Sequence, residues 1–68
     1  MYDSVHPLRV ERLKRRWSQY HVAFRTGVPQ NMISYAERGY PALTLRQKKK
    51  IAAFFEIPVE KLFPGEEG

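Results

Sequence analysis

Apolar residues recur along most of the chain at spacings of three and four residues, which is the spacing that brings side chains to one face of a helix. No segment alternates apolar and polar residues as a strand does. The first apolar segment begins after Pro7, which suits the first position of a helix because its missing N–H needs no partner there. The pattern predicts a first helix that ends near Arg16 and turns a stripe inward, formed by Leu8, Val10, Leu13 and Trp17.

Two short helical segments follow, separated by a turn of three to four residues. Ser18 suits the N-cap of the second helix, and Gly27 suits a left-handed residue that ends it. The third helix is predicted to begin at Pro29 and to stop at Gly39. Two short helices joined by a tight, glycine-containing turn are typical of a helix-turn-helix.

A fourth helix is predicted from Thr44, which forms a capping box with Gln47 three positions later. The residues that can face the core are Leu45, Ile51, Ala52 and Phe55. Pro58 then precedes a short helical turn whose Leu62 and Phe63 can close the core. The sequence therefore predicts an all-α fold of five short helices, divided into an N-terminal arm (1–7), a helical domain (8–63) and an acidic tail (64–68).

Positive charge is concentrated in residues 8–55, which hold eleven Lys or Arg side chains against two acidic ones, whereas the whole chain has a net charge of +5. Double-stranded DNA is a suitable partner for such a segment, because it carries about one negative charge per ~1.7 Å of helix axis and releases counterions when phosphates are neutralised. A solvated basic surface without a partner explains the charge equally well. Charge alone leaves both interpretations open.

Several classes of function find no support in the 68 residues. The chain has no cysteine, and its two histidines, His6 and His21, lie near no acidic cluster that would complete a metal site. His21 follows Ser18 by three residues, but no carboxylate is placed to orient it as a base. We therefore expect no catalysis, cofactor, metal or small-molecule ligand.

Nothing in the sequence suggests a membrane segment. The longest apolar run, 51–55, is far shorter than the roughly 20 residues of a membrane-spanning helix. The first residues also lack the apolar core of a signal peptide. We expect a cytoplasmic protein with no membrane partner.

The segment 18–39 has the residues that a helix-turn-helix requires. Such a motif needs a small residue where the helices cross, a residue that accepts positive φ in the turn, and apolar residues that fix the second helix across the first. These places are occupied in order by Ala23, Gly27, Val28, Ile33 and Ala36. The outward side of the second helix carries hydrogen-bonding side chains suited to reading bases, which are Gln30, Asn31, Ser34 and Tyr35.

An ordered set of residues resembles the Xre/Cro family of helix-turn-helix regulators, to which lambda repressor belongs. The matching residues are Leu8, Arg12, Ser18-Gln19, Ala23, Gly27-Val28, Ile33-Ser34, Glu37-Arg38-Gly39, Ile51-Ala52 and Leu62-Phe63. The resemblance runs without a gap from Leu8 to about Phe63. It implies a compact five-helix, lambda-repressor-like domain whose helices two and three form the motif.

The resemblance also implies a function and roles for individual residues. The protein would be a bacterial or phage transcription regulator, a repressor, that reads the major groove of double-stranded DNA as a homodimer. Gln30, Asn31 and Ser34 would face base edges, while Tyr35 would read a base or touch phosphate. Phosphate contacts are expected from Gln19, Arg38 and Arg12, with further contacts from the basic residues Lys14, Arg16 and Lys48. Arg12 and Glu37 would form a structural ion pair.

Two residues that depart from the family pattern leave parts of this interpretation open. Glu11 stands where these proteins usually have an apolar residue, which favours rotation of helix one toward Val10, Leu13 and Trp17. Lys48 replaces a usual leucine, although its aliphatic stem can still cover apolar surface.

Dimerisation would use helix five and exposed apolar residues such as Phe54, Leu62 or Phe63. An alternative function is a protein-interaction module, an antirepressor or antitoxin-like adaptor that uses the same fold.

Overall fold

A computed structural model describes residues 5–65 of the chain. These residues form five α-helices: α1 (Pro7–Lys14), α2 (Gln19–Thr26), α3 (Gln30–Glu37), α4 (Leu45–Phe55) and α5 (Val59–Leu62). The predicted all-α fold and the order of its helices are confirmed. Most of the predicted arm (1–4) and most of the acidic tail (66–68), with Glu66 and Glu67, lie outside the described residues.

The helix ends follow from local sequence signals. Pro7 begins α1, and the Ser18 hydroxyl accepts a hydrogen bond from the His21 N–H at 2.9 Å at the start of α2. The capping box of α4 is complete, since Thr44 Oγ1 accepts from the Gln47 N–H at 3.1 Å and Gln47 Oε1 accepts from the Thr44 N–H at 2.9 Å. The predicted caps at these positions are confirmed.

Two non-glycine residues adopt the left-handed conformation where helices end. Arg16 has φ 58° after α1, and Glu56 has φ 59° after α4. Each permits a six-residue Schellman hydrogen bond, from Trp17 N–H to the Arg12 carbonyl and from Ile57 N–H to the Ala52 carbonyl, both at 3.1 Å. Glycine is the usual residue at such a position because a Cβ there is strained.

The core is formed by all five helices. α2 packs on α3 and α4, α1 packs on α3 and α5, and α5 packs on α4. The buried apolar residues are Leu8, Val22, Val28, Ile33, Ala36, Ile51, Ala52, Phe55, Leu62 and Phe63. Leu62 and Phe63 are fully covered, so the short α5 closes the core as predicted. None of the helices in residues 5–65 is long and apolar enough to cross a bilayer.

The orientation of α1 differs from the predicted one. Its buried residues are Leu8 and Arg12, one helical turn apart, whereas Val10 is 39% exposed and Leu13 is 49% exposed. The expected inward stripe was therefore wrong for Val10 and Leu13, whereas Leu8 is buried as predicted and Trp17 is partly buried against the core. The physical reason is that a charged residue, Arg12, occupies the inner face because its partner Glu37 is also buried.

Leu45 was also expected in the core, and that prediction was wrong. It is exposed at the first position of α4. The inward stripe of this helix begins one turn later, at Lys48, and continues through Ile51, Ala52 and Phe55. Leu45 thus lies beyond the end of the surface that α4 packs against.

Glu56→Gly tests the strain at the end of α4. The substitution is expected to raise the free energy of unfolding by ~0.5–1 kcal/mol, since glycine adopts positive φ without a steric penalty. Ala53→Gly is the matched control, because it places glycine in an exposed interior position of the same helix and is expected to lower stability by ~1 kcal/mol. Urea unfolding followed by circular dichroism measures both, and a loss of stability in Glu56→Gly would contradict the prediction.

Candidate nucleic-acid interface

The turn between α2 and α3 fixes the angle of α3. Gly27 ends α2 with φ 78°, as predicted. The next residue, Val28, is buried, and its N–H donates to the Thr26 hydroxyl at 3.3 Å while that hydroxyl donates to the Val22 carbonyl at 2.7 Å. Ile33 on the inner face of α3 is fully buried. These contacts anchor α3 across α2.

The opposite side of α3 faces outward and carries the predicted base-reading residues. Gln30, Asn31 and Tyr35 are exposed, and Ser34 is half-buried. Their positions, i, i+1, i+4 and i+5, lie on one side of a helix. The fold therefore brings all four together on one exposed surface.

Glu37, at the end of α3, is the centre of a buried polar network. Arg12 Nε donates to Glu37 Oε2 at 2.6 Å, and Arg12 Nη2 donates to Glu37 Oε1 at 3.0 Å. Gln19 Nε2 donates to the same Oε1 at 3.0 Å, and Arg12 Nη1 donates to the Trp17 carbonyl at 2.8 Å. The network links α1, the turn after it, α2 and α3.

The burial of Arg12 changes the role expected for it. Its side chain is almost completely covered, and all three guanidinium nitrogens donate to protein acceptors. Arg12 is thus directed inward, so its predicted phosphate contact is corrected to a structural role. The ion pair with Glu37 is the contact that the sequence resemblance implied.

Glu11 has a partner that the sequence analysis did not identify. Arg15 Nη1 donates to the Glu11 carboxylate at 2.8 Å and to the Glu11 carbonyl at 2.9 Å, while Arg15 Nη2 donates to the Phe55 carbonyl at 3.2 Å. The hydrogen bond from Arg15 holds the pKa of Glu11 below its usual value. A carboxylate in place of an apolar residue therefore serves to position Arg15 against the end of α4.

A groove lies between the start of α1 and the end of α3, with a volume of about 690 Å³. It brings Gln19 and Arg38, both predicted to bind phosphate, to one surface together with Ser34. Arg9 also lines this groove, although the sequence analysis did not single it out. Its place in the groove depends on how α1 packs on α3, so the spacing of residues within α1 gave no signal for it.

The family model described as helix-turn-helix, of the Cro/C1 type, matches residues 8–62. The chain belongs to the Cro/C1-type helix-turn-helix family. Its five helices form the lambda-repressor-like fold of this family, and it is a DNA-binding transcription regulator. Searches of curated proteins and of solved structures give no significant match.

Within this family fold, the remaining predicted phosphate contacts differ in accessibility. Lys14 and Arg16 are exposed near the turn from α1 to α2, where Lys14 Nζ lies 3.4 Å from a Glu11 carboxylate oxygen. Lys48 is buried on the inner face of α4, with Nζ 5.8 Å from the centre of the Phe63 ring. The predicted phosphate contact of Lys48 is therefore corrected. Three neighbouring cations on α4 are exposed instead, namely Arg46, Lys49 and Lys50.

The apolar residues expected to contact a second copy mostly pack within the helix-turn-helix domain itself. Leu62 and Phe63 are fully buried, so they offer no surface to a second copy. Phe54 is half-buried and stacks on Trp17 with ring centres 4.7 Å apart. His21 lies beside both rings, at 5.4 Å from Trp17 and 5.9 Å from Phe54, which makes it a packing residue. The expectation that Leu62 and Phe63 are exposed for dimerisation was therefore wrong, while the homodimer itself stays a prediction.

Arg12→Met tests the buried ion pair. The substitution leaves the Glu37 carboxylate buried without its cation and is expected to lower the free energy of unfolding by ~3–5 kcal/mol. The double variant Arg12→Met, Glu37→Met is expected to regain much of that loss, because it leaves no unpaired buried charge.

Lys14→Ala is the control for this measurement. It breaks the exposed pair with Glu11, and such pairs contribute less than ~1 kcal/mol. Urea unfolding of the four proteins gives the comparison. A cost for Arg12→Met as small as that for Lys14→Ala would show that the pair does not stabilise the fold.

Proposed function

We propose that this DNA-binding regulator is a sequence-specific repressor that reads the major groove with α3 and binds its operator as a homodimer. The observation that carries the proposal is the exposed face of α3, where Gln30, Asn31 and Ser34 point away from a helix anchored by buried Ile33 and Ala36. A rigidly held helix with several short hydrogen-bonding side chains is suited to base edges.

The chemistry of these side chains favours particular bases. Gln and Asn amides can each pair bidentately with the N6 and N7 positions of adenine, and Ser can donate or accept. Gln30 and Asn31 lie in the first turn of α3, and the first turn of a recognition helix is the part that usually contacts bases in the major groove of DNA. We therefore expect the strongest base preference to come from these two residues.

Other residues would position the domain on the DNA backbone. Gln19, Arg9 and Arg38 line the groove beside α3, and their N–H groups are suited to phosphate oxygens. Lys14 and Arg16 add exposed positive charge near the start of α2. Such contacts supply affinity without sequence preference and make binding depend on salt.

Two copies would bind a two-fold symmetric operator, each reading one half-site. Helix-turn-helix dimers place their recognition helices one turn of DNA apart, about 34 Å. The proposal includes no catalytic step. Selecting bound duplexes from a random pool tests it, and an enriched palindrome with half-site centres about 10 base pairs apart is the expected result. Enrichment of no sequence would overturn the proposal of sequence-specific reading.

Asn31→Ala and Arg38→Ala separate reading from positioning. Asn31→Ala is expected to cost ~1–3 kcal/mol on the selected duplex and to relax the preference at one base pair. Arg38→Ala is expected to weaken binding to every duplex alike and to flatten the slope of log K against log salt by about 0.9. Gel-shift titrations at several salt concentrations measure both effects.

Arg25→Ala is the matched control, because Arg25 is another exposed arginine whose guanidinium lies over an aromatic ring, that of Phe54 on α4. It is expected to leave the salt slope unchanged. If Asn31→Ala acted uniformly and Arg38→Ala acted at one base pair, the assignment of reader and positioner would be reversed.

One observation favours the second candidate, a protein-interaction module. Tyr20 and Phe24 on α2 are 65% and 73% exposed, and their rings stack with centres 6.2 Å apart. An exposed aromatic pair suits a protein contact better than a phosphate contact. If no duplex binds specifically at low salt, an adaptor role through this pair becomes the better proposal.

A further inference from the structure

The end of α3 brings two tyrosines and one arginine into mutual contact. Gly39, with φ +91°, closes the helix in a Schellman motif: its N–H donates to the Ala36 carbonyl at 3.0 Å, and the Tyr40 N–H donates to the Tyr35 carbonyl at 3.1 Å. The motif folds the chain back on itself. Tyr40, which follows the helix, is thereby placed next to Tyr35, which belongs to it.

The arginine that lies beside both rings is Arg38. Its guanidinium carbon lies 5.2 Å from the centre of the Tyr35 ring and 5.9 Å from that of the Tyr40 ring, both within the range of a cation–π interaction. The two rings are 6.1 Å apart and inclined at 50°. Arg38 Nη2 also donates to the Ser34 hydroxyl at 3.2 Å. Contacts with both rings and with Ser34 thus restrict an arginine that is exposed to solvent.

Burial does not explain this arrangement. Tyr40 is 56% exposed and Tyr35 is exposed as well, so neither ring contributes a full side chain to the core. A guanidinium has five N–H donors, and only Nη2 and, at 3.5 Å, Nε of Arg38 donate to Ser34, so further N–H groups remain for a ligand. An exposed arginine normally loses much rotamer freedom when it binds, and prior restriction reduces that loss. The cluster therefore has the features of a preorganised cation.

The surroundings of Arg38 indicate the chemical class of its partner. Arg38 and Ser34 line the groove that Arg9 and Gln19 also line, so the cluster lies at the edge of a surface with a second cation and an amide. The planar guanidinium fork matches the oxygens of a phosphate. A phosphodiester of the DNA backbone fits this set of donors, because α3 would lie in the major groove of DNA and the backbone borders that groove.

We propose that Tyr35 and Tyr40 are positioning residues that hold Arg38 ready to bind a DNA phosphate. This proposal rests on the proposed function, because it requires α3 to lie in DNA. It assigns Tyr35 to the backbone contact instead of to a base edge. Tyr40, outside the helix and absent from the predicted side-chain contacts, becomes part of the interface.

A double-mutant cycle of Arg38→Ala and Tyr40→Ala tests the proposal, with affinity measured on the selected duplex. Tyr40→Ala alone is expected to weaken binding about three- to tenfold, the range of a cation–π contact plus lost preorganisation. In the Arg38→Ala background the same change is expected to alter affinity by less than about twofold, since coupled residues are not additive. Tyr40→Phe, which keeps the ring, is expected to restore binding to within about twofold of the original protein.

Tyr20→Ala is the matched control, because Tyr20 is a comparably exposed tyrosine whose ring contacts Phe24. Its effect on affinity, whatever its size, is expected to be the same with and without Arg38. NMR provides a readout that loss of fold stability would not produce: in the DNA-free protein, the Arg38 Nε–H is expected to become more mobile in Tyr40→Ala while the backbone spectrum outside 35–41 stays unchanged.

The outcomes distinguish this proposal from the proposed function. If the original protein bound no duplex specifically, the proposed function would fail first. If it bound specifically but Tyr40→Ala weakened binding equally with and without Arg38, the positioning role would be overturned while sequence-specific reading stood. An unchanged Arg38 Nε–H in Tyr40→Ala would also overturn the positioning role.

Discussion

The buried ion pair between Arg12 and Glu37 is the interaction on which the placement of the helices depends. Removing two charges from water costs several kcal/mol per ion, and only good geometry with additional hydrogen bonds offsets that cost. The pair meets this condition, because the carboxylate also accepts from Gln19 and the guanidinium also donates to the Trp17 carbonyl. One residue from each of the first three helices is thereby held in a fixed relation.

A network of this kind has a different effect from an equal volume of apolar side chains. Apolar contacts in a small core tolerate sliding and repacking, whereas each hydrogen bond in a buried network requires a particular register. Glu37 lies at the last turn of α3, directly before Arg38 and the turn that carries Tyr40. The register of the exposed α3 face is therefore set by a network centred on two buried residues, Arg12 and Glu37.

Local sequence signals predicted most of the fold, whereas the orientation of single helices required tertiary information. Ser18, Gly27 and the Thr44 capping box determine their helix ends through neighbouring residues, so their pattern is visible in the sequence. The inward face of α1 was predicted wrongly because periodicity counts apolar residues and does not register that Arg12 fills an inner position through a partner 25 residues away. The phosphate contact of Lys48 was predicted wrongly for a related reason, since the burial of its side chain beside Phe63, the residue after α5, depends on tertiary packing.

Part of the candidate site, but not all of it, was also predictable from the sequence. The outward residues of α3 follow from helical spacing once the inner residues Ile33 and Ala36 are recognised. Arg9 and Tyr40 could not be chosen in the same way, because their places in the groove and beside Arg38 depend on how α1 meets α3 and how Gly39 turns the chain. Such contacts arise between elements, and no spacing within one element reveals them.

The stacking of Trp17 has a practical consequence for optical work on this protein. Trp17 is the single tryptophan of the chain, and it packs on Phe54 and against the edge of Phe55, where the turn after α1 meets α4. Its emission will therefore report whether the helices are packed together. Tyr35 and Tyr40, by contrast, are exposed on the outward surface and lie outside this packed aromatic group.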